Sequence, residues 1–126
     1  MQRKVGVVVF THGSRVPAGN APLLRLVEQL RQRLGTDHIE PCFMELGRPP
    51  IPAALKKLVR HGCTHIYGYA LFLVPGSHLT EDIPFIFAQT LKKHPGVTWE
   101  ISPALLHDPQ MVEFVARHIA PVLGRE

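Results

Sequence analysis

Three side chains able to bind a metal ion follow apolar segments of the sequence. His12 stands in "VVVFTHGSR", Glu45 in "CFMELGRPP" and His78 in "LFLVPGSHLTEDIP". Neutral imidazoles hold divalent transition metals, and two converging histidines leave further coordination positions open. A carboxylate beside them could bind the ion or accept a proton. The pattern predicts metal chemistry, provided that the fold brings these residues together.

Each of these residues also has an ordinary explanation. A loop histidine often does no more than hydrogen-bond to nearby backbone, and Glu45 could pair with Arg15 or Arg48. The two arginines could instead bind substrate carboxylates through bidentate hydrogen bonds, although solvated surface arginines are equally common. The position of each residue in the fold must therefore decide between these alternatives.

Four apolar, β-branched segments alternate with four segments of helical periodicity, which is typical of a parallel α/β sheet. The predicted strands are Lys4–Phe10, His38–Phe43, His65–Phe72 and Val97–Ile101. The predicted helices cover about residues 21–34, 52–60 and 80–93, and a last one begins near Asp108. The first and third strands are nearly continuous apolar runs, as expected for central strands. We expect a single three-layer domain over residues 1–126, with a four-stranded parallel sheet flanked by helices.

The loops that follow the predicted strands form the expected ligand-binding edge. In an open parallel sheet, ligands bind beyond the carboxyl ends of the strands. Those loops carry His12, Glu45, His78 and His107. His107 stands just before a predicted helix cap, and a role there is a simpler explanation for it than ligand binding.

The spacing "HGCTH", from His61 to His65, resembles a metal motif by eye. These residues close the second helix and open the third strand, so they lie at the opposite edge of the sheet. A histidine near a helix C-terminus is stabilised by the helix dipole. We therefore predict no metal site there.

Composition limits the partners and the cell compartment. No apolar run approaches the roughly 18 residues that a membrane helix needs. The net charge of +4 argues weakly for an anionic ligand. The basic residues are spread along the chain and aromatic residues make up only 7%, which argues against nucleic acid as a partner. Cys42 and Cys63 stand singly, as in a reducing compartment. We expect a cytoplasmic protein with no nucleic-acid or membrane partner.

Three segments together resemble the class II chelatases, in particular the short sirohydrochlorin cobaltochelatase and ferrochelatase family. They are "VVVFTHGSRVPAGN", "CFMELGRPPIPAAL" and "YALFLVPGSHLTEDIP", which lie in the same order and spacing from about Val5 to Pro84. The resemblance implies a chelatase-like, flavodoxin-like fold. It also implies a lyase that inserts Co²⁺, Fe²⁺ or Ni²⁺ into a tetrapyrrole such as sirohydrochlorin, in cobalamin or siroheme biosynthesis, without nucleotide hydrolysis.

The same resemblance implies roles for individual residues. His12 matches the family histidine that binds the metal and accepts a proton, and His78 matches the second metal histidine. Glu45 matches a position that contacts the macrocycle, and it could share the proton transfer. Further macrocycle contacts match Phe72, Leu73, Val74, Pro75, Gly76 and Ser77. No permanently bound cofactor is expected, because the metal is a substrate. Larger relatives hold the macrocycle between two such domains, so a single-domain chain is expected to form a homodimer.

Two other functions stay open at the level of sequence. A non-catalytic metal or tetrapyrrole carrier would keep the same histidines but bind its ligand only stoichiometrically. A phosphatase would use His12 as its nucleophile and would not depend on His78. Histidine phosphatases usually carry Arg-His-Gly after their first strand, whereas Thr11 precedes His12 here.

Overall fold

Four parallel strands form a single sheet in the computed structural model, which describes residues 3–125. The strands are β1 (Val5–Gly13), β2 (Ile39–Leu46), β3 (His65–Ala70) and β4 (Thr98–Ile101). Their spatial order is β2-β1-β3-β4, so the two apolar runs are the central strands, as predicted. Residues 1, 2 and 126 of the predicted domain lie outside the described residues.

Four helices alternate with the strands: α1 (Pro17–Leu34), α2 (Ile51–Arg60), α3 (Ile83–Leu91) and α4 (Gln110–Ile119). This alternation confirms the predicted α/β class. Between residues 3 and 125, no helix combines the length and the apolar character needed to cross a bilayer.

The sheet is covered on both faces because its central strands are apolar on both sides. Val8 and Phe10 of β1 point toward α2 and α3, where they join a cluster that includes Leu55 and Phe87. The opposite face of β1 contributes Val9 to a smaller second cluster. Its other buried members are Leu23 and Val27 of α1 and Ile39 and Phe43 of β2. The predicted three layers are thus present, with α1 on one face and α2 and α3 on the other.

Several elements extend further toward the ligand-binding edge than predicted. Both β1 and β2 continue three residues beyond their predicted ends, into "THG" and "MEL". A π-helical turn, His78–Asp82, precedes α3, so helical structure begins before the predicted start at Thr80. α1 begins at Pro17 rather than near Ala21. Pro17 is the first residue of α1, where its missing N–H and fixed φ suit the start of a helix.

α4 differs most from the other helices. Its apolar stripe follows the predicted periodicity, but none of its residues is buried. Val112 is 70% and Ile119 48% exposed. The helix lies against a short 3₁₀ turn, Leu105–His107. The rest of the fold therefore leaves the stripe of α4 uncovered.

Candidate metal site

An irregularity in the pairing of β1 with β2 places His12 opposite Glu45. Thr11 pairs with Phe43 and Gly13 pairs with Leu46, so two β2 residues face His12 alone. Such a bulge bends a strand and redirects a side chain at a sheet edge. Gly13 has a φ of 104°, and a Cβ there would lie 2.9 Å from the backbone of Leu46. Glycine is therefore what allows the strands to stay paired beyond the bulge.

His12, Glu45 and His78 come together at the carboxyl edge of the sheet. The Nε2 atom of His12 lies 3.6 Å from Oε2 of Glu45, and the rings of His12 and His78 are 5.1 Å apart. One potential ligand atom from each residue lies within 4.8 Å of the others. The three side chains are 42%, 50% and 41% exposed, respectively. The group therefore offers two nitrogens and a carboxylate oxygen to a ligand that arrives from solvent.

A carboxylate orients the ring of His78. The Nδ1 atom of His78 lies 3.0 Å from Oδ2 of Asp82, at the other end of the π-helical turn. A metal-binding histidine typically donates its second ring N–H to a carboxylate in this way. With the proton on Nδ1, the lone pair of Nε2 is free for a metal. Sequence reasoning missed Asp82, although its i,i+4 spacing from His78 in "HLTED" was a usable signal.

Asn20 ties the two strand ends together and was also missed. Its Oδ1 accepts a hydrogen bond from the Ser14 N–H at 2.8 Å, and its Nδ2 donates to the Ser14 carbonyl at 3.0 Å. Nδ2 also donates to the Leu46 carbonyl at 2.9 Å. One side chain thus fixes the residues just beyond both His12 and Glu45. An asparagine in the first turn of a helix, where it can bond to backbone, was the available signal.

The segment predicted to contact a macrocycle has a buried part and an exposed part. The ring of Phe72 is partly buried and packs on Phe10, with their centroids 5.9 Å apart. Leu73 and Val74 are 62% and 59% exposed. Phe72 therefore supports the loop from below, whereas Leu73 and Val74 present apolar groups to solvent.

The remainder of this segment leads into the turn that carries His78. Pro75 is partly buried, and Gly76 and Ser77 are exposed. Gly76 has a φ of 52°, and its carbonyl accepts a hydrogen bond from Thr80 Oγ1 at 2.9 Å. The left-handed conformation at Gly76 redirects the chain from the loop into the π-helical turn.

Other candidates from the sequence stand apart from this group. Glu45 pairs with His12, not with Arg15 or Arg48, and both arginines are exposed. His107 is exposed in the 3₁₀ turn and is not among the three clustered side chains. Burial raises the pKa of the Cys42 thiol, and the nearby charge of Glu40 raises it further. Cys42 is buried in the core and is not part of the group formed by His12, Glu45 and His78.

The "HGCTH" motif lies at the other edge, as predicted. Nε2 of His65 is 2.6 Å from Oε2 of Glu100, and its Nδ1 is 2.6 Å from Oγ1 of Thr98. His61 ends α2, and its carbonyl accepts a hydrogen bond from Lys4 Nζ. His65 therefore links β3 to β4, and the motif has a structural explanation.

Comparison with known proteins gives this site a family context. The CbiX family model matches residues 6–122. The chain is 32% identical over 100 residues to the chloroplastic sirohydrochlorin ferrochelatase of Arabidopsis thaliana, covering 79% of this chain and 44% of that protein. It is 37% identical over 78 residues to the sirohydrochlorin cobaltochelatase of Methanocaldococcus jannaschii, covering 62% and 54%. The chain spans about half the length of these curated relatives.

A solved structure shows the same fold. SirB from Bacillus subtilis, determined with Fe³⁺, superposes with a TM-score of 0.83 at 24% identity, covering 98% of this chain and 48% of SirB. The three segments that resemble short chelatases fall within the residues that the family model matches. The chain belongs to the CbiX family.

Proposed function

We propose that this protein is a metal chelatase, a lyase that inserts Co²⁺ or Fe²⁺, with Ni²⁺ as a third candidate, into sirohydrochlorin. The observation that carries the proposal is the accessible cluster of His12, Glu45 and His78, whose ligand atoms lie within 4.8 Å of one another. The names of the relatives, sirohydrochlorin ferrochelatase and cobaltochelatase, supply the substrate class. The reaction would serve siroheme or cobalamin synthesis.

Metal insertion requires the exchange of one divalent ion for two pyrrole N–H protons. A hydrated ion must first give up water for protein ligands, and His12 and His78 supply neutral nitrogens for that step. When the ion passes to the ring, the lone pair on His12 is released and can accept a proton. Glu45, 3.6 Å away, stabilises the resulting imidazolium and can take the second proton. Both protons then leave to solvent, to which this group is open.

Binding of the macrocycle requires apolar contact and positive charge. Leu73 and Val74 are exposed in the loop that leads to His78. They could pack on one face of the ring. Sirohydrochlorin carries many carboxylates, which Arg15 and Arg48 could bind through bidentate hydrogen bonds. Both arginines follow the strands that carry the site, and both are exposed. In this proposal the metal is a substrate and no permanently bound cofactor takes part.

A homodimer is part of the proposal, because a single domain offers one wall of a cleft for a planar ring. A cytoplasmic location stays a prediction, based on the two unpaired cysteines.

The test is a spectrophotometric assay with sub-stoichiometric protein. Metal-free sirohydrochlorin is mixed with Co²⁺, Fe²⁺ or Ni²⁺, and the absorbance change of metallation is followed against protein-free controls. Many metallated rings per protein chain would support the chelatase and rank its metals. Stoichiometric binding without turnover would contradict catalysis and favour a carrier. In a separate assay with a phosphomonoester, phosphate release that persists in His78→Ala would favour the phosphatase.

A further inference from the structure

Basic residues that are far apart in the sequence meet at the amino edge of the sheet, opposite the candidate metal site. α1, α2 and α3 each run back from the carboxyl edge, so their last turns lie near the starts of the strands that follow. Arg31 Nε donates to the Ile39 carbonyl at 2.8 Å, and Lys4 Nζ donates to the His61 carbonyl at 2.6 Å. We call this surface the basic edge. Its exposed cations are Arg3, Lys4, Arg33, Arg60, Lys92 and Lys93.

Acidic residues do little to offset this charge. Glu40 is only 6% exposed, and its Oε1 already lies 3.3 Å from Arg31 and 3.1 Å from Lys57. Glu100 pairs with the imidazole at the start of β3. Among residues 3–125, none of the six exposed cations of the basic edge forms an ion pair. The basic edge therefore carries a net positive charge that its own chain leaves uncompensated.

The carboxyl edge has the opposite sign. It carries two basic residues, Arg15 and Arg48, against four acidic ones, Glu45, Glu81, Asp82 and Asp108. The molecule is thus polarised along the direction of its strands. A charge distribution of this kind steers and orients an anionic partner during approach. Such a partner meets the basic edge first and leaves the candidate metal site open.

Helix dipoles explain single residues of the basic edge but not its extent. The C-terminal end of a helix favours a cation, which accounts for Arg33 in the last turn of α1 and Arg60 in that of α2. Gathering like charges on one surface nevertheless costs free energy through mutual repulsion. An anionic partner relieves this repulsion.

The basic edge is poorly suited to nucleic acid. Phosphates bind at helix N-termini, where N–H groups are free, whereas the helices present C-terminal ends here. Proteins that bind single strands stack the bases on exposed aromatic rings. Trp99 of β4 is half-buried against Phe87, with ring centroids 5.4 Å apart, so its ring is not free to stack on a base.

A polar recess beside the basic edge carries charges of both signs. It has a volume of about 480 Å³, and its lining includes Lys57 and His61 as well as Glu28 and Asp37. The two carboxylates would repel a uniform polyanion such as a phosphate backbone or an anionic lipid surface. A folded protein can match such a mixture, because its surface offers carboxylates beside hydrogen-bond donors.

The size of the basic edge suits a small protein contact. Four strands occupy about 19 Å at 4.8 Å per strand, and three layers, each about 10 Å thick, occupy about 30 Å. The product is roughly 600 Å², at the low end for one side of a protein interface, where transient encounters are found.

We propose that the basic edge docks an acidic surface of a different protein, while the candidate metal site at the opposite edge stays open to its substrates. The contact is small and electrostatic, so it forms rapidly and weakens as salt is added. The inference goes beyond the proposed function, because it uses no residue of the candidate metal site.

A fluorescent, glutamate-rich helical peptide is the probe for this surface. Its binding to the full chain is followed by fluorescence anisotropy between about 50 and 150 mM salt. We expect saturable binding that weakens as the salt concentration rises. A peptide of the same length, with glutamine in place of glutamate, is the control and should not bind. Failure of the acidic peptide to bind even at the lowest salt concentration would overturn the proposal.

Charge-reversal variants locate the contact. Arg60→Glu and Lys93→Glu each replace an attraction at the basic edge by a repulsion, and each should raise the peptide's dissociation constant at least about 5-fold. Arg25→Glu makes the same change at an exposed position of α1, about 14 Å from the helix end. This distance exceeds the Debye length of about 8 Å at physiological salt, so Arg25→Glu should change the constant less than about 2-fold. Equal effects of the three variants would overturn the proposal, because net charge alone would then explain binding.

Two other polyanions test the choice of partner. A short DNA duplex and vesicles that contain phosphatidylserine are offered to the same protein at about 150 mM salt. The proposal expects both to bind more weakly than the acidic peptide. Tighter binding of either one would overturn the assignment to a protein and give the basic edge to nucleic acid or to an anionic membrane. The turnover of sirohydrochlorin by Arg60→Glu, measured separately, reports on the proposed function alone.

Discussion

Nδ1 of His78 lies 3.0 Å from Oδ2 of Asp82, across one π-helical turn. The pair joins a residue of the candidate metal site to one that sequence reasoning did not select. π-Helical turns are rare and often occur at functional sites. Here the turn holds the imidazole and the carboxylate in contact before α3 begins. The orientation of His78 is therefore built into the backbone as well as into the hydrogen bond.

We expect Asp82→Asn to weaken metal binding about 10- to 100-fold, the usual cost of losing a carboxylate behind a histidine ligand. The substitution keeps the size of the side chain but removes the charge that favours the proton on Nδ1. The dissociation constant for Co²⁺, measured by calorimetry, checks this. Glu81→Gln is the matched control, since Glu81 is a neighbouring exposed carboxylate. Equal affinities in the two variants would contradict the positioning role of Asp82.

His12→Ala and His78→Ala should differ in what they lose. Each removes a proposed metal ligand, so both should weaken metal binding. His12→Ala also removes the proposed proton acceptor, and proton transfer contributes about 10²- to 10⁴-fold to a rate. We therefore expect kcat for metallation, at saturating metal, to fall further in His12→Ala. His107→Ala, at the same edge but outside the cluster, should leave kcat unchanged. Wild-type turnover in His12→Ala would contradict the proposed mechanism.

The sequence predicted the sheet and the edge at which the candidate residues cluster, because both follow from simple rules. Alternating apolar and amphipathic segments predict parallel strands with crossover helices, and ligands bind beyond the carboxyl ends of such strands. Residue type and the resemblance to short chelatases then selected His12, Glu45 and His78. These residues cluster because the strand ends and the loops that follow them converge. The strand pattern alone predicted only that the residues share one edge of the sheet.

Other features depend on contacts that periodicity does not encode. The bulge between Thr11 and Gly13 depends on the register in which β1 pairs with β2. The roles of Asn20 and Asp82 depend on the directions of single side chains. For α4, the pattern predicted an apolar stripe correctly, but periodicity does not say which surface covers a stripe.

Asn20→Ala should reduce both stability and activity. It removes three hydrogen bonds that join the Ser14 loop to the end of β2. The free energy of unfolding should fall by about 1–3 kcal/mol. Small displacements of reacting groups can cost about 10²-fold in rate, so kcat/KM should fall even at temperatures where the variant is folded.

Gln29→Ala, at an exposed position in the middle of α1, is the control for the helix itself. Asn20→Asp keeps an acceptor for the Ser14 N–H but loses both N–H donors, so it should lie between the wild type and Asn20→Ala. Urea denaturation and the metallation assay measure the two effects. A loss of stability with unchanged kcat/KM would limit Asn20 to a structural role.

His65→Ala should lower stability without affecting metal chemistry. The His65 side chain is only 11% exposed, and its two ring nitrogens each lie 2.6 Å from a β4 side chain, on Glu100 and Thr98. Removal of the ring leaves Thr98 and Glu100 without their β3 partner. Because the Glu100 side chain is 56% exposed, water can replace part of what is lost. We therefore expect the free energy of unfolding to fall by about 1–2 kcal/mol.

His61→Ala changes the other histidine of the same motif, at an exposed position. Its stability should stay within about 0.5 kcal/mol of wild type, as is usual for surface substitutions. Both variants should bind Co²⁺ with wild-type affinity, because the motif lies at the edge of the sheet opposite the candidate metal site. Loss of Co²⁺ affinity in folded His65→Ala or His61→Ala would show that the "HGCTH" motif takes part in metal binding after all.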